Sequence, residues 1–286
     1  MRRASAIEKD ATEITTVQDL TSVFESLAST QVAKVKGKVE LSKKFFELIW
    51  ARYSSIRVDP KSRITSRGLA AATAKKVFVV ISAEAGLSGD IDQRLVEAMY
   101  QDYDPATTDI VVLGSHGATQ MSQRGIAYSR FFQVPETDRY IDVSPVITAI
   151  KDYSQVIIYY EEYVSLGVQN IQSIDLVSSM RAMSQEAAEE AMTAEDTIFE
   201  PSLDEIADQM ELTMMTLALS QTILESSLAQ SASRFNAMAV AKKRAGELLE
   251  DYTMEFHRAK RSESDRRLRE ILISLKKKRR SKGAVL

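Results

Sequence analysis

SLDEIADQMELTMMTLALSQTILESSLAQSASRFNAMAVAKKRAGELLEDYTMEFHRAKRSESDRRLREILISL, residues 202–275, contains no proline and one glycine, Gly246. Along it Leu203, Ile206, Met210, Thr213, Leu217, Ser220, Leu224, Leu228, Ser231, Phe235, Met238, Lys242, Ala245, Leu249, Tyr252, Phe256 and Ala259 fall at steps of three and four that alternate except at Leu224–Leu228. That period lays one narrow stripe along a single continuous helix, the seam of a coiled coil. At about 1.5 Å per residue the helix would run on the order of 100 Å, too long to pack inside a small domain. Its stripe needs a partner helix.

The start of the chain supplies one. Residues 2–58 hold no proline and only Gly37, and Ile7, Ile14, Val17, Thr21, Phe24, Ala28, Gln31, Val35, Lys38, Ser42, Phe45 and Ile49 repeat the same stepping. The spacing predicts an antiparallel pair, with Phe24 and Phe45 on one seam and Phe235 and Leu249 on the other. Thr, Gln, Lys and Ser in the first seam weaken it, since each buried large aliphatic contributes roughly 1.5–3 kcal/mol. Val58-Asp59-Pro60 ends the first helix, because the residue before proline is pushed out of helical geometry.

Between the helices the period changes. Val77–Ile81 and Asp109–Leu113 are short β-branched runs of the kind buried on both sheet faces. Residues 91–103 and 117–129 read as helices, and Ser144-Pro145 opens another, with Ser144 as cap, leading to Tyr153. Gln155–Val164 and Val168–Val177 read as two more strands, the second at an edge. The organisation is therefore an N-terminal coiled-coil helix over 1–58, a connector over 59–76 and an α/β domain over 77–177. An acidic linker follows over 178–201, then a C-terminal coiled-coil helix with a basic tail over 202–286. Ser202 and Glu205 make a capping box for that helix. The fold class is a small mixed or parallel, Rossmann-like sheet inserted between two long terminal helices.

Composition narrows the chemistry. Of 286 residues 44% are hydrophobic and 27% charged, the net charge is −3, and there is no cysteine. Disulfides, thiolate metal sites and cysteine nucleophiles are excluded. No apolar run is long enough for a membrane span, and MRRASAIEKDATEI lacks the apolar core of a signal peptide. Gly86-Leu87-Ser88-Gly89 after the first strand matches neither G-x-x-x-x-G-K-[ST] nor G-x-G-x-x-G, and reads as a tight turn. His116 follows the second strand, but no nucleophile–base–acid set accompanies it, and the other histidine, His257, lies on the long helix. We expect no catalytic residue, no cofactor and no metal site. The run Lys276, Lys277, Lys278, Arg279, Arg280, Lys282 has no aromatic platform for stacking bases, so nucleic acid is not an expected partner. The run either frays into solvent or meets an acidic sleeve.

Ser233-Arg234-Phe235-Asn236-Ala237-Met238, Ala245-Gly246-Glu247-Leu248 and Phe256-His257-Arg258-Ala259-Lys260 resemble the C-terminal helix of the gamma subunit of F-type ATP synthases. That family reads there as A-R-x-x-A-M, A-x-x-L and Y-N-x-A-R. Ile198–Ser202 resembles the family's entry to this helix, and Gly86–Gly89 and Gly114–Gly117 resemble its two glycine turns. Glu13-Ile14-Thr15 stands where the family has K-I-T-K-A-M; Ala83 and Glu84 replace an acid–base pair, and His116 replaces a lysine.

The resemblance implies a non-catalytic central-stalk rotor. Its coiled coil would enter a hexamer of alpha and beta subunits, and its α/β domain would sit on the membrane c-ring beside the epsilon subunit. Rotation driven by protons or sodium would then force the beta-subunit nucleotide sites through different conformations. It also implies a peripheral place on the cytoplasmic face of a bacterial plasma membrane. Arg234, Asn236, Met238, Arg258, Lys260, Lys276 and Lys277 are candidate subunit contacts. From the residues alone, a coiled-coil scaffold with an α/β recognition module and an enzyme using the α/β insert remain as alternatives.

Overall fold

The computed structural model describes residues 3–55, 73–134, 141–176 and 203–283. A long helix α1 (Ala4–Ser55) opens the chain and a long helix α5 (Leu203–Gly283) closes it. Between them lie β1 (Thr73–Ile81), α2 (Ile91–Gln101), β2 (Thr108–Leu113), α3 (Ser115–Gln123), β3 (Arg130–Phe132), α4 (Ser144–Ile150), β4 (Tyr153–Ser165) and β5 (Val168–Asp175). Residues 59–72 of the expected connector, the linker over 178–201 and the proposed cap Ser202 lie outside the described residues, while Thr73–Lys76 belong to β1.

The sheet has five strands in the order β3-β2-β1-β4-β5. The first four are mutually parallel and β5 runs antiparallel to β4. Alternation divides the apolar runs between two layers. Val77, Val79, Ile81, Val111, Leu113, Val156, Ile158 and Tyr160 pack with α4, with Met214, Leu219 and Ile223 of α5 and with Phe46 of α1. Phe78, Val80, Ile110, Val112 and Tyr159 face α2 and α3 through Leu95, Val96, Met99 and Met121. Both faces are covered, which is why these strands read as unbroken β-branched runs.

Three local expectations change. The helix expected over 117–129 runs from Ser115 to Gln123. Gly125, at φ +70°, stops it: Ile126 N–H bonds Met121 O at 3.0 Å and Gly125 N–H bonds Ser122 O at 3.2 Å. That is the paired closure of a left-handed helix end. The chain then turns into β3, an edge strand of only three residues that carries no periodicity to read. At α4 the residue in the cap position is Val143 rather than Ser144, and the Asp142 carboxylate accepts the Ser144 N–H at 3.0 Å.

Two compact units divide the chain, Met1–Ser26 with Met238–Leu286, and Leu27–Ala237. In the first, α1 and α5 pair antiparallel. Ala4 N–H donates to Glu263 Oε1 at 3.2 Å, Lys242 Nζ lies 2.9 Å from Glu25 Oε2, and Gln18 sits against Gly246. On α5 the seam Met238, Lys242, Ala245, Leu249, Tyr252, Phe256, Ala259 is covered as spaced. On α1 one row, Ile7, Ile14, Thr21, Ala28, Val35, Ser42 and Ile49, is covered; of the expected alternate row Gln31 and Lys38 are half-buried, and a second covered row falls one residue later. It consists of Ala4, Ala11, Gln18, Glu25, Val32, Val39 and Phe46. Val17, Phe24 and Phe45 remain 52%, 38% and 49% exposed. A four-three alternation from Ile7 fits the period as well as three-four does. The packing of Gln18 against Gly246 and the ion pair of Glu25 with Lys242 belong to the four-three choice.

Candidate functional site

The richest polar arrangement lies where β1 ends and α5 crosses it, all inside the unit Leu27–Ala237. Ser82, fully buried, donates its Oγ–H to Leu113 O at 2.8 Å and accepts the Gly117 N–H at 3.0 Å. This binds the ends of β1 and β2 to the start of α3. The fit is tight: a Cβ on Gly114, at φ +99°, would meet Ser82 O at 2.3 Å, and one on Gly117 would meet Ser82 Oγ at 2.3 Å. The second glycine turn is thus required by a close backbone approach. Glu84 accepts the Val134 N–H at 3.2 Å and also takes the Ser115 hydroxyl, so its carboxylate sits at the N-terminus of α3.

Below this turn, Asp92 on α2 is completely buried. Its Oδ1 accepts the Ala83 N–H at 2.8 Å, and its Oδ2 accepts Ser88 Oγ–H and meets His116 Nδ1, each at 2.8 Å. Ser88 hydrogen-bonds the carboxylate and not the imidazole, so His116 and Asp92 form a joint between α3 and α2 rather than a nucleophile–base couple. Glu161 on β4 is also completely buried; Ser226 of α5 donates to its Oε2 at 3.0 Å, and its Oε1 has no hydrogen-bond partner. Burial, then the neighbouring Asp92 carboxylate, push the Glu161 carboxyl well above its ordinary range.

Arg234 of α5 completes the arrangement. Its Nε and Nη2 donate to Gly86 O at 3.2 Å and Ala85 O at 3.0 Å. Burial pulls its pKa down, and the nearby Asp92 and Glu161 carboxyls, Asp92 first, oppose that shift. Ser233 Oγ donates to Ser88 O at 2.6 Å and Asn236 Nδ2 to Leu166 O at 2.6 Å. The motif Ser233–Asn236 therefore fastens α5 to the first glycine turn and to the β4–β5 hairpin.

The remaining candidate contacts lie in the other unit. Met238 is buried in the helix seam. Lys260 Nζ stands 5.5 Å from the Phe256 ring centroid, a cation–π contact within one helical turn. Arg258 lines an open groove of about 500 Å³ with Arg261, Ser262, Asp265, Arg266 and Arg269. Lys276 is exposed, and the side chain of Lys277 lies outside the described residues. Sequence reasoning missed Asp92, Glu161, Ser226 and Gln230. Glu161 left one signal, two consecutive carboxylates in an otherwise apolar strand, one of which had to face inward. Among the described residues no group of three or more His, Cys, Asp or Glu side chains could hold a metal ion, and no helix is long and apolar enough to cross a membrane.

Comparisons with known proteins span nearly the whole chain. A family model described as ATP synthase matches residues 3–275. The chain belongs to the ATP synthase gamma-chain family. The ATP synthase gamma chain of Clostridium kluyveri is 22% identical over 283 residues, spanning 93% of this chain and 95% of the relative. Among solved structures, the rotor of the Euglena gracilis mitochondrial ATP synthase in rotational state 1 covers 90% of this chain and 98% of its own, with a TM-score of 0.62 at 13% identity. The OSCP/F1/c-ring assembly of the same synthase in rotational state 3 contains a chain matching 95% of this one and 94% of itself, with a TM-score of 0.68 at 12% identity. The gamma subunit is the central stalk of the synthase, and this chain shares its fold of two long helices packed together with a central mixed sheet of five strands.

Proposed function

We propose that this gamma-family chain transmits torque, coupling ion-driven rotation of a c-ring to conformational change at the nucleotide sites of the beta subunits, and does no chemistry itself. The observation that carries this reading is the bare end of α5. From Glu263, where Ala4 of α1 bonds it, to Lys276 every residue of α5 is exposed, including Leu268, Ile271, Leu272, Ile273 and Leu275. Apolar residues at helical spacing with no cover from the described residues of their own chain call for cover from other proteins. Val17, Leu20, Val23 and Phe24 leave a second uncovered apolar band on α1.

In this reading the partners are the alpha and beta subunits around the paired helices, with the epsilon subunit and the c-ring at the α/β domain. Arg258, Lys260, Lys276 and Lys277 are the polar contacts to the hexamer. Arg234, Asn236 and Met238 act by fixing the helix that carries them. The domain plan is a helix over 1–58 and a helix over 202–286 bracketing an α/β domain that starts at Thr73, with β1, and runs to 177. The place is peripheral, on the cytoplasmic face of a bacterial plasma membrane. Native mass spectrometry of the assembly captured through a tag on this chain tests the reading. The expected assembly has three alpha and three beta subunits per gamma chain, with epsilon and the c-ring. Recovery with a partner set that binds no nucleotide would replace the rotor by a scaffold.

A further inference from the structure

The buried carboxyls at the helix–sheet junction are not used by anything above. Glu161 on β4 and Asp92 on α2 are both fully buried. Asp92 already accepts hydrogen bonds from Ala83 N–H and Ser88 Oγ–H and meets His116 Nδ1 at 2.8 Å, so both of its oxygens are partnered. Ser226 donates to Glu161 Oε2 at 3.0 Å, while the other oxygen, Oε1, is buried with no hydrogen-bond partner. An ionised carboxylate so placed would leave an unsatisfied acceptor beside a second negative charge. Two carboxylates sharing a buried site do not both ionise.

We infer that Glu161 and Asp92 hold one proton between them. The proton resides on Glu161 Oε1 and is donated to the Asp92 carboxylate. The bare atom becomes a donor, and every polar atom of the pair is then used. The charged and titratable groups around the pair fit this count. From α3 the His116 Nδ1 lies 2.8 Å from Asp92 Oδ2, and from α5 the Arg234 guanidinium feels the charge of the pair. From the same helix Ser226 and Gln230 add only neutral groups. With one proton on the pair, the single remaining carboxylate charge is balanced by Arg234. The proton also has a structural consequence. It lets one neutral side chain bind Ser226 of α5 with one oxygen and Asp92 of α2 with the other, tying two helices to β4. His116, whose side chain is 28% exposed, brings the cluster to the surface.

Infrared spectroscopy of the full chain carrying side-chain carboxyl-labelled glutamate tests this. The expected result is a protonated-carboxyl stretch at pH 7 that shifts with the label and disappears in Glu161→Gln. In Asp92→Asn the like charge is gone, so the pH at which the band vanishes should drop by about one unit or more. Absence of a labelled protonated-carboxyl band in the wild-type chain at pH 7 would overturn the inference without recourse to any variant. A band with an unchanged midpoint in Asp92→Asn would overturn the sharing.

Discussion

Gly114, Gly117 and Gly125 allow the packing around Ser82 to be weighed against simple backbone strain. Gly125 is at φ +70° with nothing within 4 Å of an added Cβ, so Gly125→Ala introduces strain alone. That costs about 1–2 kcal/mol. Gly117→Ala presses a methyl on the buried Ser82 Oγ, costing about 1–3 kcal/mol for overpacking, offset by about 0.5–1 kcal/mol of helix propensity. Gly114→Ala combines left-handed strain at φ +99° with a 2.3 Å approach to a backbone oxygen that no rotamer change relieves. The sum is about 2–5 kcal/mol. Because the chain has two units, the readout should be hydrogen exchange of amides in β1 and β2 rather than one melting point. By the tenfold change per 1.4 kcal/mol, Gly114→Ala should speed their exchange by about 30-fold to a few thousand-fold, and Gly125→Ala by about 5- to 30-fold. Equal acceleration by the two variants would refute the claim that Ser82 locks the turn.

Other outcomes follow from the same geometry. Gly37→Ala, mid-helix with open space around it, should stabilise the chain by about 0.5–1 kcal/mol in thermal unfolding; destabilisation would mean α1 is not continuous there. Reversing the Lys242–Glu25 pair by Lys242→Glu should cost up to about 1 kcal/mol at low salt, and Glu25→Lys added to it should restore most of the loss in a double-mutant cycle. Glu161 is held above its ordinary value of 4.5, so its contribution is complete below that pH and is lost as pH rises through the folded pKa. Glu161→Gln should therefore flatten the fall of stability above pH 4.5 in a urea titration series, and a parallel wild-type and variant profile would contradict the assignment. Deleting 276–286 should weaken assembly most at low ionic strength if the basic run meets acidic partners, and leave it unchanged at every salt concentration if the run is solvated.

The two long helices and the central strands were legible because their periods are unambiguous. Seventeen seam positions on α5 need no tertiary information to align, and Val77–Ile81 can be little else than a doubly covered strand. The alternate row on α1 was not, since apolar residues fall in both candidate rows, Val17, Phe24 and Phe45 in one and Val32, Val39 and Phe46 in the other, and only packing decides between them. β3 was missed because three residues on an edge have no alternation to detect. The buried network was hidden for a different reason: Asp92, His116, Glu161 and Arg234 come from four separate elements, and nothing in their sequence separation announces that they meet.

The absence of cysteine from the chain permits the most direct test of the rotor reading. Lys151, exposed on the α/β side, can be replaced by the sole cysteine of the chain and carry a bead or gold rod. With the assembled complex fixed through its beta subunits, added ATP should drive the probe continuously in one direction, in steps that reflect three nucleotide sites. A complex that hydrolyses ATP while a probe on this chain stays stationary would contradict the account.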